Sequence, residues 1–136
     1  MQKNAFRILV VDDDIDLLML LERKLEKCGY VVESAVSLAE AEYVATNFKP
    51  DLVLLDINVN GEDGRQLCWK IKHSPENKKT KVILMSALYY PTSRVMLFGA
   101  DDFVAKPYPP EFVQQKIAAV LVAEPEAEMA AVSSEE

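Results

Sequence analysis

The sequence places five polar side chains where short apolar runs stop: Asp12, Asp13, Asp56, Ser86 and Lys106. If those runs are parallel strands, their carboxyl ends share one edge of a sheet, which is where open α/β folds bind ligands. We therefore expect the five residues to converge on one cleft. A carboxylate acceptor, neighbouring acidic groups, a hydroxyl and an ammonium group together suit the phosphorylation of an aspartate.

Three consecutive aspartates, Asp12 to Asp14, directly follow the first apolar run. Carboxylates crowded at a strand end repel one another unless a cation neutralises them. Oxygen ligands of this kind suit Mg²⁺, which prefers few carboxylates, retained waters and a phosphate oxygen. An acidic helix start is an equally good interpretation of the triplet taken alone. In the context of the other residues, the triplet predicts a hard metal, with Mg²⁺ as the cofactor.

Asp56 ends the most apolar run, residues 52–55, and opens a loop rather than a helix. A buried carboxylate needs a partner there, and a metal together with Lys106 would supply one. A phosphoryl group on Asp56 would take a cationic donor from Lys106 and a hydroxyl donor from Ser86. Taken singly, a strand-end serine is usually a turn former and a lysine a solvated surface residue. The joint arrangement is what predicts the site.

Apolar runs alternate with helical patterns along the chain, which is typical of parallel βαβ construction. Strands are predicted over residues 8–11, 30–36, 52–55, 81–85 and 102–105. Helices are predicted over residues 15–28, from residue 38 up to Pro50, from the 58–64 loop to about His73, over 92–98, and from Pro109-Pro110 to about Val122. The pattern predicts an α/β fold with a single doubly wound parallel sheet of five strands.

The chain has 136 residues, half of them apolar, which suits one core and one domain. Residues 124–136 contain five glutamates and no lysine or arginine. That segment carries too little bulky apolar surface to offset chain entropy. We expect residues 1–123 to form the domain, and residues 124–136 to be a disordered acidic tail or the start of a linker.

The net charge of -7 lies mostly in that tail, so the body is nearly neutral. A body without a basic stripe is not expected to bind nucleic acid directly. No apolar run is long enough to span a bilayer, and no secretory leader is recognisable, so we expect a cytoplasmic protein without membrane contact. Cys28 and Cys68 are too far apart in sequence for a metal or redox pair and are predicted to be free thiols.

Four segments, residues 8–14, 54–58, 85–87 and 99–107, resemble the receiver domain of two-component response regulators. The resemblance covers about residues 5–122, and the four motifs occur in the family's order and spacing. It implies a flavodoxin-like receiver fold with strand order 2-1-3-4-5 and five helices.

The resemblance implies that Asp56 accepts a phosphoryl group from a histidine kinase or phosphotransfer protein. The receiver itself would catalyse this transfer and its own dephosphorylation, and would not otherwise be an enzyme. By the same analogy, Asp13 and Asp56 bind Mg²⁺ directly and Asp12 helps through water. The backbone carbonyl of Asn58 is a further ligand, and Lys106 pairs with the phosphoryl oxygens.

Switching in the family couples the hydroxyl at the Ser86 position to the aromatic ring at the Phe103 position. Phosphorylation would draw Ser86 inward, let Phe103 rotate, and remodel the face made by the fourth helix, fifth strand and fifth helix. The Lys106-Pro107 bond is expected to be cis. The signal would pass to a downstream target protein or to an output domain beyond this sequence. Formation of a homodimer through the same face is left open.

Several positions near the site differ from the family pattern or are expected to affect how the site works. Many receivers have proline in the loop after the phosphoacceptor, whereas this chain has Asn60-Gly61, so we expect a less restrained loop and a softer metal geometry. Apolar Leu88 is expected to limit the approach of hydrolytic water and lengthen the phosphoryl lifetime. Residues 89–91 are either a partner-contact patch or simple packing, and the sequence favours neither.

Three other functions share parts of this pattern. A degenerate receiver would act as a docking module without phosphorylation, although all five site residues are present. A Mg²⁺-dependent phosphohydrolase with an aspartate nucleophile would have a second aspartate two residues on, where this chain has Asn58. A flavin-binding electron carrier would share the fold, but the acidic triplet occupies its phosphate loop.

Overall fold

The computed structural model describes residues 5–77, 79–87 and 98–134, with side chains described as far as Val122. In chain order its elements are β1 (Arg7–Val11), α1 (Ile15–Lys27), β2 (Val31–Ala35), α2 (Leu38–Phe48), β3 (Leu52–Asp56), β4 (Asn58–Val59), β5 (Glu62–Asp63), α3 (Gly64–His73), β6 (Lys81–Ser86), β7 (Asp102–Ala105) and α4 (Pro110–Ser134). The five predicted strands are all present, each within a residue or so of its expected bounds.

Five strands form one parallel sheet in the order β2-β1-β3-β6-β7, so the predicted flavodoxin-like architecture is confirmed. The order differs in numbering from the predicted 2-1-3-4-5 because the short strands β4 and β5 were not foreseen. They form a separate antiparallel hairpin. Four helices are described rather than five, since the predicted fourth helix over 92–98 falls almost entirely outside the described residues.

Helices cover both faces of the sheet and create two cores. Leu55 of β3 packs with residues of α2 and α3, and its neighbour Leu54 packs with residues of α1 and α4. Because β3 is covered on both sides, all five of its residues are buried, as its continuous apolar run predicted. Each fully buried leucine stabilises the fold by roughly 2 kcal/mol. The strand that carries Asp56 is therefore held rigidly at the centre of the molecule.

The last described helix, α4, runs to Ser134 and does not end near Val122 as the sequence predicted. Alanine and glutamate, which are frequent in this segment, have high helix propensity. The low apolar content of the segment therefore did not predict its helical structure. The division of the chain at residue 123 stays a prediction. No helix in the described ranges, α4 included, combines the length and apolar character needed to cross a membrane.

Both cysteines are free, as predicted, but their surroundings differ. Cys28 caps the end of α1 and is exposed, whereas Cys68 is buried in α3 with its thiol donating to the Phe98 carbonyl at 3.3 Å. Burial raises the pKa of the Cys68 thiol to about 12, which leaves almost no reactive thiolate at neutral pH.

Labelling of the folded protein with an alkylating reagent is therefore expected to modify Cys28 quickly and Cys68 only on unfolding. Mass spectrometry of the intact protein measures this directly. Cys28→Ser should remove the fast phase, and Cys68→Ser should retain it. Rapid modification of both thiols in the folded protein would contradict the burial of Cys68.

Candidate functional site

The five strand-end residues all line one cleft of about 280 Å³, together with Asp14, Asn58 and Ala87. The sheet explains this convergence, because β1, β3, β6 and β7 are parallel neighbours whose carboxyl ends meet at one edge. Backbone hydrogen bonds extend the alignment past the strand ends, with the Lys106 amide donating to the Ser86 carbonyl at 2.8 Å. The expected convergence on one cleft is thus confirmed.

Lys106 bridges the two buried carboxylates of the cleft. Its Nζ donates to Asp12 Oδ2 at 2.7 Å and to Asp56 Oδ2 at 2.9 Å. Burial lowers the pKa of Lys106, but the hydrogen bonds and charges of the two aspartates outweigh that effect and hold its pKa above the usual value. Lys106 is followed by a cis Lys106-Pro107 bond, as expected. The ammonium group is therefore a fixed positive charge between two acidic groups.

The three aspartates of the triplet take three different positions. Asp12 is fully buried, and burial raises its pKa even though Lys106 and the Asp14 amide counteract that shift. Asp13 is exposed, and its Oδ2 accepts from the Asn60 amide at 2.9 Å. Asp14 caps α1 by accepting from the Leu17 amide at 3.2 Å. The acidic helix start is thus the correct interpretation of Asp14, while Asp12 and Asp13 form a carboxylate cluster with Asp56.

Asp12, Asp13 and Asp56 can each offer one carboxylate oxygen to a common point, with those atoms within 4.8 Å of one another. The donor set is oxygen only, and four carboxylates and one ammonium group line the cleft, so the site has an excess of negative charge. These features fit a small hard cation such as Mg²⁺. Receiver domains generally bind Mg²⁺ at such an acidic pocket.

Asn58 lies beside Asp56 in the cleft, and its amide donates to Asp56 Oδ1 at 3.1 Å. Its side-chain Oδ1 accepts from the Gly61 amide at 2.9 Å and so closes the following turn. The Asn58 side chain is therefore engaged in local structure. The predicted role of its backbone carbonyl as a metal ligand stays a prediction.

The expectation of a less restrained loop at Asn60-Gly61 was wrong. Both residues have positive φ, 54° and 81°, and they form the turn of the β4–β5 hairpin. Asn60 is tied on both sides, because its amide donates to Asp13 and its side-chain amide donates to the Val36 carbonyl at 3.0 Å. An Asn-Gly pair is the strongest short-range signal for a hairpin, so the sequence did indicate a turn at this position. These hydrogen bonds therefore hold the loop against the site.

Gly64 was also missed by sequence reasoning, although it lies against the end of the strand that carries Asp56. It begins α3 against the end of β3, and a Cβ placed there would lie 2.1 Å from the Asp56 carbonyl oxygen. Backbone atoms of this kind cannot rotate away as a flexible side chain would. Only glycine therefore allows α3 to start so close to Asp56.

Gly64→Ala is expected to lower the free energy of unfolding by about 2 kcal/mol, because the overlap must be relieved by backbone movement. The same movement should displace Asp56 and slow its reaction with acetyl phosphate. Gly29→Ala is the matched control, since Gly29 has a φ of 98° but no neighbour within 4 Å of a new Cβ. It should cost about 1 to 2 kcal/mol and leave the reaction rate unchanged. Equal rates for wild type and Gly64→Ala would contradict the positioning role.

The two predicted switch residues lie in different surroundings. Ser86 is buried at the end of β6 and lines the cleft. Phe103 is half-buried in β7 and packs against the core on the α2 and α3 side. Leu88, residues 89–91 and most of the predicted fourth helix lie outside the described residues. The coupling of Ser86 to Phe103 therefore stays a prediction.

Comparison with known proteins identifies the family. The sequence profile of the response regulator receiver domain matches residues 8–118, and the chain belongs to this family. The transcriptional regulatory protein ResD of Bacillus subtilis is 35% identical over 122 residues, which are 88% of this chain and 50% of ResD. The chain spans about half the length of the curated relatives it matches.

Solved structures agree with the sequence profile. A CheY-like response regulator receiver domain protein from Methanospirillum hungatei JF-1 superposes with a TM-score of 0.81 and 30% identity, covering 90% of this chain and 98% of that one. The BeF3-activated N-terminal receiver domain of Klebsiella pneumoniae RstA gives a TM-score of 0.76 and 29% identity, covering 85% and 98%. The chain is therefore a response regulator receiver domain of the two-component type.

Proposed function

We propose that this receiver is an active phosphoacceptor, in which Asp56 takes a phosphoryl group from a phosphohistidine with the help of Mg²⁺. The observation that carries the proposal is the shared ammonium group of Lys106, which contacts both Asp12 and Asp56 in one cleft. A degenerate docking module would have no use for two buried carboxylates held around a lysine, because such an arrangement costs desolvation energy.

The reaction moves one phosphoryl group between two side chains. A carboxylate oxygen of Asp56 forms the new P–O bond while the P–N bond to the donor imidazole breaks, and the imidazole keeps the electron pair and regains a proton. Lys106, already 2.9 Å from Asp56 Oδ2, balances charge on the phosphoryl oxygens. Ser86, at the end of β6, supplies a hydroxyl donor. When bound, Mg²⁺ would neutralise the remaining negative charge, held by Asp12, Asp13 and Asp56.

Its partners follow from the same chemistry. Receiver domains interact with histidine kinases, and such a kinase or a phosphotransfer protein is the proposed donor. We propose that the signal passes to an output domain or a separate target protein, since this chain matches only half of the transcriptional regulatory protein ResD. The protein would catalyse its own phosphorylation and dephosphorylation and no further reaction.

The proposal is tested by incubating the protein with acetyl phosphate and Mg²⁺ and measuring its intact mass. One added phosphoryl group is expected with Mg²⁺ and none in excess EDTA. Beryllofluoride, which activates the RstA receiver domain, provides a second probe, and it should shift backbone amide resonances around the cleft only when Mg²⁺ is present. If neither reagent has a Mg²⁺-dependent effect, the phosphoacceptor proposal fails and the docking module is favoured.

A further inference from the structure

We propose that Asn60 is a positioning residue for Asp13 and holds this exposed carboxylate in the orientation that Mg²⁺ binding requires. The inference rests on the proposed function, because it assigns a role at the same metal site. It concerns the β4–β5 hairpin, whose tip reaches across to the residues that follow β1.

Asp13 is the carboxylate of the cluster that most needs external support. Asp12 and Asp56 are buried and both hold the Lys106 ammonium group, whereas Asp13 is exposed. An exposed side chain loses rotamer freedom when a metal fixes it, and this loss weakens binding unless the side chain is already ordered. The Asn60 amide supplies that order by donating to Asp13 Oδ2 at 2.9 Å. A carboxylate has room for more than one partner, and Asp13 also offers an oxygen within 4.8 Å of those of Asp12 and Asp56.

The turn geometry is what allows this hydrogen bond. Asn60 and Gly61 have φ values of 54° and 81°, which asparagine and glycine adopt more readily than other residues. The Gly61 amide donates to Asn58 Oδ1 at 2.9 Å and closes the turn from within. A proline in place of Asn60 would lack the amide hydrogen and could not adopt the observed φ. The Asn60-Gly61 pair therefore gives this receiver a contact that proline at this position would exclude.

A chain of hydrogen bonds fixes the hairpin tip to the start of α2. The Asn60 side-chain amide donates to the Val36 carbonyl at 3.0 Å, and the Val36 amide donates to Glu40 Oε1 at 2.9 Å. The Glu40 amide in turn donates to the N-cap Ser37 Oγ at 3.1 Å. None of Val36, Ser37 and Glu40 lines the metal cleft. The cap of a helix thus orients a metal ligand through one asparagine, in the way that outer partners orient ligands in other metal sites.

Asn60→Gly tests the anchor without removing the turn. Glycine tolerates the positive φ and keeps the amide hydrogen, so the lost element is the side-chain bond to Val36. We expect the dissociation constant for Mg²⁺, measured by isothermal titration calorimetry, to rise about tenfold, the lower end of the range for outer partners of metal ligands. Thermal unfolding in EDTA should change little, because the hairpin lies at the surface.

Glu40 provides a matched pair of variants at the far end of the chain of hydrogen bonds. Glu40→Ala removes the acceptor for the Val36 amide, whereas Glu40→Gln keeps an acceptor oxygen, and both remove the same charge. Weaker Mg²⁺ binding is expected in Glu40→Ala, with affinity close to wild type in Glu40→Gln. In the Asn60→Gly background, Glu40→Ala should have no further effect, since the connection through Val36 is already broken.

The outcomes separate this inference from the proposed function. If wild type binds Mg²⁺ and the dissociation constants of Asn60→Gly and Glu40→Ala are within twofold of the wild-type value, the positioning role is wrong. The proposed metal site is then unaffected. If Glu40→Gln binds Mg²⁺ as weakly as Glu40→Ala, the effect is one of charge and the proposed chain of hydrogen bonds is wrong. If wild type binds no Mg²⁺, the inference fails together with the metal-dependent part of the proposed function.

Discussion

Asp56→Asn is expected to take up no phosphoryl group from acetyl phosphate under conditions in which wild type takes up one. A neutral carboxamide has no anionic oxygen to attack phosphorus, so the loss should be complete. The fold should persist, because asparagine has the same shape and its carbonyl oxygen can still accept from the Asn58 amide. Lys106 also keeps its contact with Asp12 at 2.7 Å. Intact-mass measurement with and without Mg²⁺ provides the readout.

Asp16→Asn is the control, because it replaces an aspartate that lies outside the cleft. Asp16 lies in the first turn of α1 and is exposed, and it does not line the cleft. This variant should be phosphorylated like wild type. If Asp56→Asn still gained a phosphoryl group, the acceptor would be another residue, and fragment mass spectrometry would show whether it is Asp12 or Asp13. That result would reject Asp56 as the acceptor while leaving the cleft as the reactive site.

The sheet and the cleft could be predicted because the relevant signals are local. Residues 52–55 are apolar at every position, which indicates a strand covered on both faces, and Asp56 follows at its end. Parallel order then brings the ends of β1, β3, β6 and β7 together without any knowledge of side-chain contacts. Lys106 follows the edge strand β7, so its side chain has to reach back past β6 to contact Asp12 and Asp56, and the strand order alone does not specify that contact.

The parts that sequence reasoning missed depend on contacts between distant segments. The turn at Asn60-Gly61 carries a local signal, but its bond to Asp13 joins residues 47 apart in sequence. Gly64 has an ordinary place at the start of a helix, and its importance appears only when the Asp56 carbonyl lies beside it. In both cases the local propensity permits several structures, and tertiary packing selects one of them. These contacts restrain the site more tightly than the family pattern suggested.

Lys106→Met is expected to lower the free energy of unfolding in EDTA by about 3 kcal/mol, the lower end of the cost of breaking a buried ion pair. Methionine preserves the packing made by the aliphatic part of the lysine side chain, so the loss of stability reports the removal of the charge. Without the ammonium group, Asp12 and Asp56 face each other in a buried setting, with side chains 0% and 8% exposed. Protonation of one carboxylate would limit the loss, which is why the lower value is expected. Chemical denaturation followed by circular dichroism measures the change.

Mg²⁺ is expected to recover much of that loss, because a cation bound to the folded state alone stabilises it by about 2.7 kcal/mol at a hundred times its dissociation constant. Lys70→Met is the control, since Lys70 pairs with Glu42 at 3.1 Å on an exposed surface. It should change stability by less than about 1 kcal/mol and show no added response to Mg²⁺. Equal stability of Lys106→Met and wild type in EDTA would mean that the lysine does not hold the two carboxylates together. By holding Asp12 and Asp56 together, Lys106 would keep the site preorganised. On phosphorylation of Asp56, Lys106 would then transfer part of its contact from the Asp56 carboxylate to the phosphoryl oxygens.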